Sequence, residues 1–212
     1  MAPTIFANEH LGVVGDGFAG LTSALKLAMQ GFRVSVLSRR DDKLKASCSA
    51  QGVSTIKGLL EADQELFSLK MLGHQRFLTW LKTVEELSEI EVPCIKGVYE
   101  NFLSKDLFSF EQHRAYKARF LGAFAVEEVK KNAIDAFEKS FYLQLYPEDF
   151  WIDPDVYLRA LQLACARTGV CTVEDFDLSS INLNQNGVSL ESRSGDKCVW
   201  IHYEIIEEMQ YA

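Results

Sequence analysis

Between His10 and Arg40 the chain reads HLGVVGDGFAGLTSALKLAMQGFRVSVLSRR, and the spacing of its apolar positions changes twice. LGVV is a short apolar run of the kind that forms a buried strand. After it Leu21, Ala24, Leu25 and Ala28 recur at helical spacing until Gly31 stops the pattern. RVSVL is a second apolar run, so the order predicts a βαβ unit with a parallel, right-handed connection. Further on, Leu66, Leu69, Gly73, Phe77, Trp80, Leu81, Val84 and Leu87 fall near helical spacing. Leu59 to Leu87 is therefore expected to form one or two amphipathic helices whose stripe faces a core. IKGVYENF reads as a strand and FYLQLYPEDFWIDP as a returning one. In WIDPDVYLRALQLACARTGV, Asp153 is placed to cap a helix, Pro154 to open it and Gly169 to close it in the left-handed conformation. VCTVEDF then reads as a third parallel strand. SINLNQNGVSLESRSGDKCVWIHYEI alternates around Asn186-Gly187 and Ser194-Gly195, which predicts an antiparallel three-stranded meander.

The glycines of the first unit give this pattern its chemistry. Gly15 permits a tight turn after the strand, Gly17 lets backbone approach a pyrophosphate, and Gly20 allows helix and strand to pack closely. The residues between them, Asp16, Phe18 and Ala19, form the rest of the turn, and the helix start offers N–H groups to phosphate. A dinucleotide site of this kind usually carries an acid at the end of the second strand, where it accepts from both ribose hydroxyls. Ser38 stands there instead, with a single hydroxyl. Arg39 and Arg40 follow, and arginine beyond this strand can pair with the 2′-phosphate of NADP. On motif chemistry alone the nucleotide stays open.

Composition narrows the class. The chain has 212 residues, 48% of them hydrophobic and 25% charged, which suits one domain or one and a half. A formal charge of -8 argues against a nucleic-acid surface. Cys48, Cys94, Cys165, Cys171 and Cys198 include no CxxC pair, so neither a metal site nor a disulfide framework is expected. No basic leader and no apolar run near the ~18 residues of a membrane span is found. A cytoplasmic protein with reduced thiols, not bound to membrane, is the expectation.

The stretch KASCSAQG, Lys45 to Gly52, turns the choice toward FAD. Its N–H and hydroxyl groups can reach a pyrophosphate. Together with GDGFAG it resembles the FAD-binding start of the D-amino-acid oxidase and glycine oxidase family, in which a Ser-containing stretch ending in Ala-x-Gly follows the second strand. Ser47, Ala50 and Gly52 match that pattern here, with Gln51 as the residue between the last two. The aromatic followed by Asp-Pro and a helix ending in Gly-Val, Trp151 to Val170, also resembles the family. The same resemblance places Leu178 where backbone meets the adenine. The cofactor set it implies is Gly15 to Gly20, Ser38, Arg39, Arg40, Ser47, Ala50 to Gly52 and Leu178.

The fold class so implied is α/β: a Rossmann-like FAD-binding βαβ core with an antiparallel β-meander, plus part of an α+β substrate domain. Residues 1–92 and 151–212 would be the two parts of the FAD-binding domain, and 93–150 part of the substrate domain. The resemblance runs from Leu11 to Cys198, about the first half of a family member. It implies hydride transfer from a C–N bond of a small amine or amino acid to the flavin, with dioxygen or another acceptor reoxidising it, in a fragment or one subunit. A second copy or a partner subunit would then cover apolar surface near Trp200, Ile201, Ile205 and Ile206. The alternatives are a nucleotide-binding module without catalysis and an NADP-dependent dehydrogenase. No catalytic acid or base is assigned: His74 and His113 are isolated, and Tyr99, Tyr142 and Tyr146 read as packing or surface residues.

Overall fold

The computed structural model describes residues 10–39, 46–54, 64–102, 127–129, 142–184 and 187–201. The chain divides into two compact units, one drawn from Met1–Ser49, Leu87–Glu89 and Leu158–Ala212, the other from Ala50–Glu86 and Ile90–Tyr157.

The first unit begins with the βαβ motif: β1 (His10–Val14), α1 (Phe18–Met29) and β2 (Arg33–Leu37). β1 and β2 pair in parallel, Val13 opposite Val36 and Val14 opposite Leu37. β2 also pairs in parallel with β7 (Cys171–Val173), the expected third strand, giving the order β1-β2-β7. Val34 to Leu37 of this middle strand are all buried, as a parallel strand covered on both faces requires. β1 is an edge among the described residues, and its Val14 remains 50% exposed.

Gly31 ends α1 as its left-handed residue, φ +96°, while the amides of Gln30 and Gly31 donate to Leu27 and Ala28 carbonyls at 3.0 and 2.9 Å. Residues 158–167 of α3 (Pro154–Arg167) also belong to this unit. Asp153 caps it as expected: Oδ1 accepts from the Asp155 and Val156 amides at 3.0 and 3.1 Å. Cys165 of α3 is buried and donates through Sγ to the Leu21 carbonyl of α1 at 3.4 Å. Burial pushes this thiol up to about 11. At about pH 8 only about one thiol in a thousand would then be ionised, so a maleimide pulse is expected to spare Cys165 and label the exposed Cys171. Equal labelling of the two in the folded chain would show that α3 is not docked on α1.

The expected meander follows as β8 (Leu178–Asn184), β9 (Gly187–Ser192) and β10 (Lys197–Ile201), antiparallel in that order. Its Leu190 joins Leu37 and Phe176 in a small buried cluster, with Val173, Leu178 and Val188 packed against it. The meander thus seals the carboxyl ends of β2 and β7. In the β9–β10 turn Gly195 has φ +91°, and the hydroxyls of Ser194 and Ser192 hold the Asp196 carboxyl below the usual carboxylate range.

The second unit is an antiparallel sheet against a long helix. β6 (Tyr142–Ile152) pairs with β3 (Val53–Ser54), with β4 (Cys94–Phe102) and with β5 (Glu127–Val129). The helical stripe folds as one element, α2 (Gln64–Ser88). Phe77 of α2 stacks on Phe150 of β6, with ring centroids 5.2 Å apart, and meets Tyr157 edge-on at 5.5 Å. The Trp80 indole donates to the Tyr157 hydroxyl at 3.1 Å. Among the described side chains of the stripe, Trp80, Leu81 and Val84 near its carboxyl end are in the core, whereas Leu69 is 66% exposed and does not face it. Spacing identifies the apolar face of a helix, not whether anything covers it.

Candidate functional site

The turn between β1 and α1 is built by backbone constraints that only glycine meets. Gly15 has φ +98°, and its amide donates to the Leu37 carbonyl at 2.9 Å, fixing the turn to the end of β2. Gly20 lies against this turn, where a Cβ would stand 1.8 Å from the Gly15 carbonyl oxygen. Gly17 caps α1 without a side chain. The cap comes from elsewhere: the Ser47 hydroxyl accepts the Phe18 amide at 2.9 Å. It also stands 2.8 Å from where a Gly17 Cβ would be. Asp16 and Phe18 are half-buried, and Ala19 is exposed.

These groups form a small cradle in the first unit. The first-turn amides of a helix lack intrahelical acceptors and carry the positive end of its dipole, so the cradle suits an anion such as a phosphate. Ser47 comes from the 3-10 turn Ala46–Ser49 and supplies a hydroxyl at the same place.

Ser38 closes the other side of the strand ends. Its amide donates to the Val173 carbonyl and its carbonyl accepts from the Phe176 amide, both at 2.9 Å. Its side chain is only 6% exposed, and its hydroxyl lies 3.4 Å from the Arg39 carbonyl oxygen. Arg39 is exposed, and Arg40 lies outside the described residues. Leu178 opens β8 and packs on the Leu37 cluster.

Ala50, Gln51 and Gly52 belong to the second unit. Gly52 has φ +73°, and a Cβ there would stand 2.0 Å from the Ile152 carbonyl oxygen. The Ile152 amide donates to the Gly52 carbonyl at 2.9 Å, and the Trp151 indole to the exposed Gln51 carbonyl at 3.0 Å. Sequence spacing anticipated neither this anchoring nor the Ser47 cap, because the partners lie 100 and 29 residues apart.

Of the other residues singled out, Tyr146 is buried and Tyr99 is exposed. His74 is buried and bonded at both ring nitrogens. His113, Ile205 and Ile206 lie outside the described residues. Among the described residues no group of three His, Cys, Asp or Glu is placed to hold a metal ion, and no helix is long and apolar enough to cross a membrane.

A family model described as FAD dependent oxidoreductase matches residues 10–203. Among solved structures, glycine oxidase from Geobacillus kaustophilus is similar with a TM-score of 0.77 at 18% identity, over 92% of this chain and 54% of that one. Iminodiacetate oxidase from Chelativorans sp. BNC1 gives 0.75 at 17% identity, over 88% and 52%. L-amino acid deaminase from Proteus vulgaris gives 0.69 at 15% identity, over 92% and 45%. The chain thus spans about half the length of these proteins, and at such identities the likeness speaks for the fold. A search of curated protein sequences finds no match.

Proposed function

We infer, because this chain belongs to the FAD dependent oxidoreductase family, that its glycine turn holds the pyrophosphate of FAD. The observation that carries this reading is the cradle at the start of α1, where the Gly15 turn, open at its Cβ position and packed closely on Gly20, stands beside the first-turn amides and the Ser47 hydroxyl. In the proposed complex Asp16, Phe18 and Ala19 contribute turn backbone, and Ala50, Gln51 and Gly52 belong to the cofactor contacts. Ser38, with Arg39 and Arg40 beside it, faces the adenosine ribose, and the Leu178 backbone meets the adenine. FAD would supply the two-electron acceptor for a hydride from the C–H of the carbon bonded to nitrogen, whose C–N bond becomes C=N, and the protein's share is to bind and orient it.

The substrate class we propose is a small amine or amino acid, by analogy with glycine oxidase and L-amino acid deaminase. Residues 1–92 and 151–212 would serve the cofactor, and 93–150 the substrate. A cytoplasmic setting, and a second copy or partner subunit over the apolar positions Trp200, Ile201, Ile205 and Ile206, belong to the same proposal. The first test is direct. FAD added to the purified chain is expected to bind with quenched fluorescence and to survive gel filtration as a yellow protein. A colourless protein after saturation overturns the reading.

Ser38→Glu separates FAD from NADP. A carboxylate there restores two acceptors for the ribose hydroxyls and is expected to hold FAD affinity or raise it by up to about tenfold, the ~1.5 kcal/mol of a charged hydrogen bond. It should repel a 2′-phosphate. Titration of both proteins with both nucleotides decides, and tighter NADP binding by the variant would contradict either version.

A further inference from the structure

His74 is a buried histidine whose two nitrogens tie three elements of the second unit together. Nε2 lies 3.1 Å from the Glu148 carbonyl oxygen of β6. A carbonyl only accepts, so Nε2 carries the ring proton. Nδ1 lies 3.0 Å from Oγ of Ser54 in β3, and in the neutral ring the Ser54 hydroxyl donates to it. Stacking on Phe150, centroids 5.1 Å apart at 25°, fixes the ring plane and with it the direction of both bonds.

The element so held is short. β3 has two residues and two ladder pairs, Val53 with Trp151 and Ser54 with Phe150. Isolated strand pairs this short are marginal in water. Among the described residues three added bonds fall on residues 51, 52 and 54: Trp151 to the Gln51 carbonyl, Ile152 to the Gly52 carbonyl, and Ser54 to His74. Of these only the last is made by the side chain of the segment itself. A bond through Trp151 or Ile152 fixes the segment to the sheet, whereas the Ser54 bond fixes it to α2.

We propose that His74 is a positioning residue for the proposed cofactor segment, holding Gln51 and Gly52 in place through Ser54. This rests on the reading that residues 50–52 contact FAD. His74 touches no cofactor atom in this role. Its function is to keep the backbone groups of the turn preorganised, so that binding does not have to order them.

The test exploits the separation of the two ring nitrogens. His74→Asn places an amide group near the position of Nδ1 and keeps a partner for Ser54, while giving up Glu148. His74→Gln reaches toward Glu148 and gives up Ser54. Ser54→Ala removes the same link from the other side at a half-buried position, so it serves where a histidine variant fails to fold. Amide exchange at Ile152, whose acceptor is Gly52, is read on the chain without FAD, and FAD affinity is read by fluorescence titration. His74→Gln and Ser54→Ala are expected to speed exchange about tenfold and weaken FAD about fivefold, with His74→Asn within about twofold of the parent on both. Equal losses in the Asn and Gln variants, or an unchanged Ser54→Ala, would mark His74 as packing alone and overturn the proposal. So would faster exchange with unaltered FAD affinity. If the parent chain itself binds no FAD, the cofactor reading fails, and the exchange measurements still decide whether His74 positions the segment.

Discussion

Gly20→Ala is expected to abolish measurable FAD binding and to lower stability, although it adds a single methyl group to a helix. The added Cβ would stand 1.8 Å from the Gly15 carbonyl oxygen and 2.8 Å from its carbon. Both are backbone atoms of a turn tied to β2 by the bond from the Gly15 amide to Leu37, so neither can swing aside as a side chain would. An ordinary contact needs about 1.5 Å more room, which must come from moving the start of α1 or opening the turn. Overpacking of this kind costs about 1–3 kcal/mol. The displaced helix start no longer aims its amides at the cradle, and we expect FAD affinity to fall at least about a hundredfold, or roughly 2.7 kcal/mol. Gly73→Ala is the control. It lies inside α2 with nothing within 4 Å of the new Cβ, and should stabilise the chain by up to about 1 kcal/mol. Thermal melts and FAD titration read both variants, and parental affinity in a folded Gly20→Ala chain would remove this turn from the site.

The contrast between those two glycines shows where sequence reading succeeds. The βαβ unit was legible because each of its signals is local: LGVV and RVSVL as strands, Leu21 to Ala28 at helical spacing, and Gly15 and Gly31 at positive φ. The cap at Asp153 and the turn at Gly195 were legible for the same reason, since side chain or backbone acts within a few residues. Leu69 fits the stripe of α2 as well as Val84 does, yet only Val84 is buried. Burial depends on what packs against a helix, which its own spacing does not encode. In the candidate site the residue types were readable and their partners were not. Ser47 reads as a phosphate contact with no local sign that its hydroxyl caps Phe18, and Ser54 gives no local sign that His74 holds it.

The Ser47 cap makes Gly17 the sharpest test of the cradle. Gly17 has φ -79° and ψ -175°, extended backbone that any residue adopts, so its glycine is required by space and not by conformation. The space has two claimants. A Cβ at Gly17 would meet Ser47 Oγ at 2.8 Å, and the proposed pyrophosphate needs close approach to the same backbone. Gly17→Ala should therefore push Ser47 off the Phe18 amide and cost about 1 kcal/mol of cap, much as Ser47→Ala alone does. In the double variant the two stability costs should not add, because the conflict and the cap disappear together. FAD affinity should behave otherwise. Gly17→Val, whose branched side chain fills the turn, is expected to lose it by at least about a hundredfold, roughly 2.7 kcal/mol. Removing Ser47 should not restore it, since the obstructed ligand is the phosphate and not the hydroxyl. A Gly17→Val chain that regains parental FAD affinity once Ser47→Ala is added would show that Gly17 only makes room for Ser47, and the phosphate would have to be sought elsewhere.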